Sequence, residues 1–519
     1  MTKDEELEHL RQENRVLREA GLGKDQELEQ SRKAQQDLRE GLRQAIEALE
    51  FLQERVKELE QLPAENRALR QEVARLTDQL TALQEQLAKD SHNSSLPPSS
   101  DRFHRQPKSL RHKSSKKPGG QIGHKGHHLK LSQTPDLIEL HAVERCECCQ
   151  QDLRTQPATL PERRQVIDLP VKRLVVTEHR VEQKQCPVCH HVTRAGFPAQ
   201  VSAPIHYGPS IQALAVYLVQ YQLVPYERVS ELLEDLLGIS LSPGTVQRLV
   251  QQCHTQLEAV EQQIKTALQQ AKVIHQDETG LYVNGQCHWM HVCSTKTLTH
   301  YGVHAKRGKD GMDAMGIVTH FHGTSVHDGL HSYQGYFFQH ALCNVHHLRE
   351  LTYIEEQFKQ AWAGKMKDML LEMKGAVEQA QAQGKTELER LTRLRLCWRY
   401  EDILAEGYLA NPPDPPNLPK KRRNKQHPAR NLLDRLSKHQ EQVLRFLEDF
   451  AVPFDNNQAE RDIRMVKVQQ KVSGGFRQEA GARMFCRIRG YLSTLRKQSI
   501  PLLSALQQTL SGHPLLPAF

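Results

Sequence analysis

The sequence contains no run of about 18 or more apolar residues, so a membrane-spanning helix, and with it a membrane partner, is not expected. Aromatic residues are scarce, at 5%, and apolar residues reach only 38%, with a mean hydropathy of −0.64. A chain of 519 residues this lean in apolar content is not expected to build one large core. Three or more structural units are expected instead, with much of the chain in extended helices or linkers. The opening stretch, MTKDEELEHLRQENR, is charged throughout and lacks the apolar centre of a signal peptide, so a cytoplasmic location is expected. Eleven cysteines, an odd number, then read as reduced thiols and metal ligands rather than as a disulfide framework.

Acid is missing from one segment altogether. Residues 102–130 carry nine Lys/Arg and no Asp or Glu, a composition that cannot bury a core. Lys113, Lys116, Lys117 and Lys125 are its candidate phosphate contacts, and binding through them would depend strongly on salt. The alternative is a solvated linker. The net charge of +8 is divided unevenly along the chain. Residues 1–90 hold 15 Lys/Arg against 21 Asp/Glu, which leaves +14 on residues 91–519. A basic body of this kind points to a polyanionic partner, usually nucleic acid.

The acidic end follows heptads. Leu7, Leu28, Leu42, Leu49 and Val56 fall at a positions and Leu10, Leu17, Leu38, Leu52 and Leu59 at d. Beyond Pro63 the register shifts, with Leu69, Leu76 and Leu83 at d and Val73, Leu80 and Leu87 at a. Asn14 and Asn66 also fall at a, where a buried amide selects register and low oligomer number. Gly21, Gly23 and Pro63 should break the pattern. Residues 1–90 therefore read as a segmented coiled coil for self-association, and residues 91–132 as a basic linker.

Two CxxC pairs follow, Cys146 with Cys149 and Cys186 with Cys189, separated by 36 residues. Each pair can present two thiolates to one tetrahedral Zn²⁺, and four thiolates leave no open position. Residues 133–202 are thus expected to hold one structural zinc, with Cys148 a bystander or an alternative ligand. Residues 203–265 read as helical. Within them Val229, Leu232, Leu233 and Leu236 line one helix, Gly238 ends it and Pro243 opens the next. Arg248, with Thr245 and Gln247, would lie on the exposed side of a helix-turn-helix-like second helix that could enter a DNA groove. A helical hairpin without DNA contact fits the same pattern.

From residue 270 the pattern becomes β-rich. KVIHQD reads as a strand ending at Asp277, LYV-NG-QCHWMHV as a hairpin around Asn-Gly, and THYGVH as a further strand. KDGMDAMGIVTHF reads as a helix, GTSVHD as a strand ending at Asp328, and HALC as a fifth strand before a long helical stretch. That order is the order of a ribonuclease H-like core, in which the first and fourth strands are neighbours and Asp277 and Asp328 lie side by side. Adjacent carboxylates repel unless protonated or bridged by cations. A third acid would complete a site for two Mg²⁺ ions in phosphodiester chemistry. Glu460, in FDNNQAERDIRMVK, is the candidate. The same glutamate three residues after Asn457 also fits a capping-box start, and Asp455 is a competing third ligand. Arg464 and Lys467 recur at helical spacing on the Glu460 face, beside a stripe of Ala459, Ile463 and Val466. His346 and His347 lie close to these strands in sequence, as structural or substrate-positioning residues or as ligands.

Taken in order, NSSLPPSSD, KKPGGQIGHKG, the CxxC pairs, HQDETGLYVNGQCHWMHV, HDGLHSYQGY, HALCNVHHLREL, DNNQAERDIRMVKVQQKVSGGFR and GARMFCRIRGYLSTLRKQ resemble the insertion-sequence 66 family of bacterial transposases over nearly the whole chain. Gln150 departs from the glycine common at the family's first knuckle. The resemblance implies a DDE triad, which transfers to Asp277, Asp328 and Glu460. It also implies double-stranded DNA, at element ends and target, as the partner, with small element-encoded helper proteins as further ones. The expected fold is multidomain α+β: coiled coil, zinc-binding domain, helix-turn-helix-like domain, and a ribonuclease H-like α/β core over 270–475 with a helical insertion at 350–450. A helical segment at 476–519 closes the chain. The activity implied is cleavage that frees 3′-hydroxyls and joins them to target DNA. The alternative is a non-enzymatic, transposase-derived DNA-binding regulator.

Overall fold

A computed structural model describes residues 203–413 and 426–519 throughout. Before them it describes chiefly 36–56, 63–89, 143–145, 147–157, 174–185, 187–189 and 191–198. The basic lysines of 102–130, Cys146, Cys186 and the basic run at 420–425 lie outside the described residues, as do the heptads before residue 33. The described chain divides into two compact units. One contains Asn344–Gln440 and the described part of 1–109; the other contains the described part of 110–343 and Glu441–Phe519.

In the first unit, residues 36–56 are helical and Pro63 opens helix α1 (Pro63–Ala88). Proline suits that first turn because its missing N–H would have no intrahelical partner there. Leu42, Leu52 and Val56 are half-buried and Leu49 is buried. Leu69, Val73, Leu76, Leu80 and Leu83 of α1 are half-buried, so the a/d stripe is the more covered face of each helix, except at Leu38, which is 44% exposed.

The second unit begins with two hairpin tips. Arg145 and Asp152 bridge across the first CxxC, and strands β1 (Gln183–Gln185) and β2 (Val192–Arg194) pair across the second. Gln150 has φ +61°. This left-handed conformation favours glycine, and here the turn forms with glutamine in its place. Helices α2 (Pro209–Gln220), α3 (Tyr226–Leu237), α4 (Pro243–Gln256) and α5 (Glu258–Gln269) follow. Gly238 ends α3 at φ +69°, and the Ser242 hydroxyl caps α4 by accepting the Thr245 N–H at 3.2 Å. Val229 and Leu233 are buried as expected, but Leu236, in the last turn of α3 before the Gly238 cap, is 48% exposed.

A five-stranded sheet comes next: β3 (Val273–Val283), β4 (Gln286–Ser294), β5 (Thr299–His304), β6 (Thr324–His327) and β7 (Gln339–Leu342). Its spatial order is β5-β4-β3-β6-β7, so the first and fourth strands are neighbours and pair in parallel. β3 does not end at Asp277. It runs on to Val283, held by antiparallel pairing to β4 through the Asn284-Gly285 turn, whose φ angles are +49° and +73°. The expected helix between β5 and β6 is also shorter. α6 (Lys309–Ala314) stops before Gly316, at φ +69°, and a single 3-10 turn follows at Val318–His320.

Beyond β7 the chain forms α7 (Asn344–Phe358), α8 (Ala361–Ala382), α9 (Arg390–Ala410) and α10 (Pro428–Lys438) in the first unit. It then returns through α11 (Gln440–Glu448) to α12 (Asn457–Ser473), α13 (Glu479–Lys497) and α14 (Leu502–Leu510). Side chains alternate across a strand, and the sheet uses both faces. Leu281 and Val283 pack with Met290, Val292 and Tyr301 against Ala459, Ile463 and Val466 of α12. On the other face Ile274 and Cys293 join one continuous core with α2–α5, α13 and α14.

Candidate active site

The parallel β3–β6 ladder places His275 opposite Val326 and ends there. Two residues further on, Asp277 and Asp328 emerge where the strands part, at their carboxyl ends. This is where open sheets containing parallel strands form crevices. Asp277 shares its face of β3 with His275, Leu281 and Val283, the face that α12 covers. Asp328 is exposed, and its carboxylate accepts the Leu330 N–H at 2.9 Å. Burial pushes the Asp277 carboxyl well above the usual range, and repulsion from Glu278, Asp328 and Glu460 adds to the rise. Acids from two distant segments, Asp328 and Glu460, therefore both act on Asp277. A buried carboxyl crowded by like charges is stabilised in its ionised form by a divalent cation, which takes oxygen ligands.

Glu460 comes into range through a residue that the sequence pattern did not single out. The N-cap of α12 is Asn456, not Asn457, and its side chain makes no capping bond. The cap is supplied by Asp455, whose carboxylate accepts the Asn457 N–H at 3.1 Å. Asn456 is 1% exposed and points into the sheet instead. Its Nδ2 donates to the Gln276 carbonyl at 2.7 Å, and its Oδ1 lies 3.0 Å from His275 Nδ1. Because Nδ2 is the donor, Oδ1 accepts and the imidazole proton sits on Nδ1. The Asn456 N–H reaches Cys343 Sγ at 3.2 Å, and that sulfur lies within 4.8 Å of a Glu460 carboxylate oxygen. The start of α12 is thus fastened to β3 beside Asp277 and to the end of β7. Further along, Lys467 Nζ donates to the Gly280 carbonyl at 2.5 Å, Tyr301 donates to the Asp462 carbonyl at 2.9 Å, and Lys497 pairs with Asp462 at 2.8 Å.

A second polar cluster lies on the opposite face of β3. Glu278 is buried and accepts from Arg307 at 2.7 Å and from the Tyr333 hydroxyl at 3.1 Å. Burial and the Asp328 charge raise its pKa, although Arg307 and Tyr333 oppose the rise. Tyr333 stacks on His327 with centroids 4.3 Å apart. His327 Nδ1 accepts the Gly329 N–H at 3.0 Å, and its Nε2 lies 3.0 Å from His340 Nδ1. The turn that carries Asp328 is therefore held from behind. The sequence pattern did not single out Glu278, although it directly follows Asp277. Arg307 and Tyr333 gave no signal, because only the fold brings them to it.

The sequence pattern of the Transposase IS66 family matches residues 204–484, more than half of the chain and a span holding all three acids. The chain belongs to this transposase family. DNA is the partner that membership implies, together with use of divalent metal. A family of unknown function (DUF6444) matches residues 26–130. No curated protein matches the chain.

The other candidate residues of the transposase lie as follows. Arg248 is exposed on α4 and donates to the Thr245 hydroxyl at 3.2 Å. Arg464 is exposed on α12, whereas the Lys467 ammonium is engaged by the strand carbonyl. Cys149 and Cys189 are exposed at their hairpin tips, as is Cys148. His347 is buried in α7 with its Nδ1 3.1 Å from Asn344 Oδ1, and His346 is half-buried on the same helix. Among the described residues no helix is long and apolar enough to cross a membrane.

Proposed function

We propose that the chain cleaves the ends of its element, frees 3′-hydroxyls and joins them to double-stranded target DNA, with Asp277, Asp328 and Glu460 as the catalytic acids. The observation that carries this reading is the repulsion that Asp328, at the end of β6, and Glu460, in the first turn of α12, exert on the buried Asp277 of β3. The strand order β5-β4-β3-β6-β7 is that of a ribonuclease H-like core and supports it. The donor set is all carboxylate oxygen and suits Mg²⁺. Two such ions at these acids would supply the positive charge that stabilises attacking and leaving oxygens. The chain's own contribution is placement. Asn456 sets the height of Glu460 against β3, the His327–Tyr333–Glu278–Arg307 cluster holds the Asp328 turn, and Arg464 offers a cation to DNA phosphate.

In the same reading, Cys146, Cys149, Cys186 and Cys189 hold one structural Zn²⁺, residues 1–90 associate copies as a coiled coil, and Arg248 and the lysines of 102–130 contact DNA. The decisive experiment is Mg²⁺-dependent joining of pre-cut element ends. Glu460→Gln should abolish joining while folding and DNA binding survive, and Asp455→Asn should leave measurable activity. Near-normal joining by Glu460→Gln would refute the assignment. DNA binding without joining by the unaltered chain would favour a non-enzymatic regulator.

A further inference from the structure

Helix α9 is apolar on two opposite sides. Leu396, Tyr400, Leu404 and Gly407 are buried within the first unit. On the other side Leu391 is 68% exposed, Leu394 36%, Trp398 63% and Leu409 85%, and Ala405 is exposed between them. At 3.6 residues per turn these five positions form one straight stripe along nearly the whole helix. A tryptophan centred on such a stripe is the usual anchor of a protein interface.

The charges of α9 run against its own dipole. Acids favour a helix N-terminus and bases its C-terminus. Here the first turn has no acid and the last turn no base. Arg390, Arg393, Arg395 and Arg399 fill the first half, and Glu401, Asp402 and Glu406 the second. Two of these charges are matched within the unit, Arg399 by Glu372 and Glu406 by Lys365, each at 2.6 Å. Arg395 and Asp402 flank the apolar stripe on the same side. A second α9 laid antiparallel would put each Arg395 near the other copy's Asp402 and bring each dipole alongside its opposite.

We propose that the outward face of α9 pairs with the same face of a second copy of this chain, antiparallel across a two-fold axis near residue 400. Leu391 then meets Leu409 of the other copy, Leu394 meets its Ala405, and the two Trp398 rings pack beside the axis. A two-fold interface is self-complementary by construction, and a stripe with its charges reversed end to end meets that condition. This contact is separate from the heptads of residues 1–90 and does not rest on the proposed chemistry.

The test uses the full chain carrying Leu391→Cys and Leu409→Cys together, prepared as a mixture of ¹⁴N- and ¹⁵N-labelled copies. The mixture is treated with a short bismaleimide and mapped by mass spectrometry, with the unaltered chain as the native-cysteine background. Positions 391 and 409 of one helix lie about 27 Å apart at 1.5 Å per residue, so a short link between them must join two copies. Mixed-isotope 391–409 links are expected from the double variant. Like-to-like links should be absent from either single variant. Trp398→Glu in the double-cysteine background should lower the yield at least tenfold with helicity and melting unchanged, since that side chain is exposed. Links of 391 to 391 would mean a parallel pair and overturn the proposal. Absence of 391–409 links, with the cysteines either labelled or shielded, would overturn it too, shielding assigning the face to another segment.

Discussion

Replacing Asn456 by alanine separates the placement of the acids from their chemistry. The change removes a donor to the Gln276 carbonyl and an acceptor for His275 Nδ1, both in buried surroundings. Each buried polar group left unpaired costs about 1–3 kcal/mol, so a loss of about 2–6 kcal/mol in the stability of the second unit is expected. The same change frees the first turn of α12, and with it Glu460. Loss of a residue that orients metal ligands typically weakens binding roughly 10–100-fold. Titration calorimetry with Mn²⁺, which accepts the same oxygen donors, should show that weakening at a temperature where the variant remains folded. Asp277→Asn serves as the reference and should remove binding. If Asp277→Asn leaves Mn²⁺ affinity intact, the acids are not the metal site. If Asp277→Asn removes binding but Asn456→Ala melts and binds like the unaltered chain, Asn456 has no positioning role.

Three further outcomes are expected. The purified chain should carry about one zinc per copy; Cys186→Ser should lose it and Cys148→Ser should not, as read by metal analysis. Burial, aided by Arg435, His346 and His439, holds the His347 imidazole down to about 3 from its ordinary 6.5. Between those values the unfolded chain binds the extra proton, so stability falls as pH drops from 6.5 toward 3, at up to about 1.4 kcal/mol per pH unit. His347→Gln should flatten the melting-temperature profile over that range, and an unchanged slope would refute the cause. Exchanging the basic residues of 102–130 for glutamine should weaken DNA binding and flatten its salt dependence by roughly 0.9 log unit per lost phosphate contact; identical slopes would leave the segment a linker.

The residues that alternate or recur declared themselves in the sequence. The Asn284-Gly285 turn, the α12 stripe of Ala459, Ile463 and Val466, and the Gly238 and Pro243 helix limits all depend on local chemistry: φ preference, periodicity and capping. The neighbourhood of Asp277 and Asp328 was legible too, because strand order follows from element order once the fold class is known. Local pattern could not distinguish a capping Asn-Asn pair from a residue that turns into the sheet. Asn456 is defined by contacts with His275, Gln276 and Cys343, more than 100 positions away along the chain. Nor did periodicity end β3 in the right place, because pairing with β4 carries the strand past Asp277 after β6 has stopped. The identity of the acids is a property of sequence. Their shared field, which raises Asp277 through its neighbours, exists only after burial excludes water and the fold closes the distances between them.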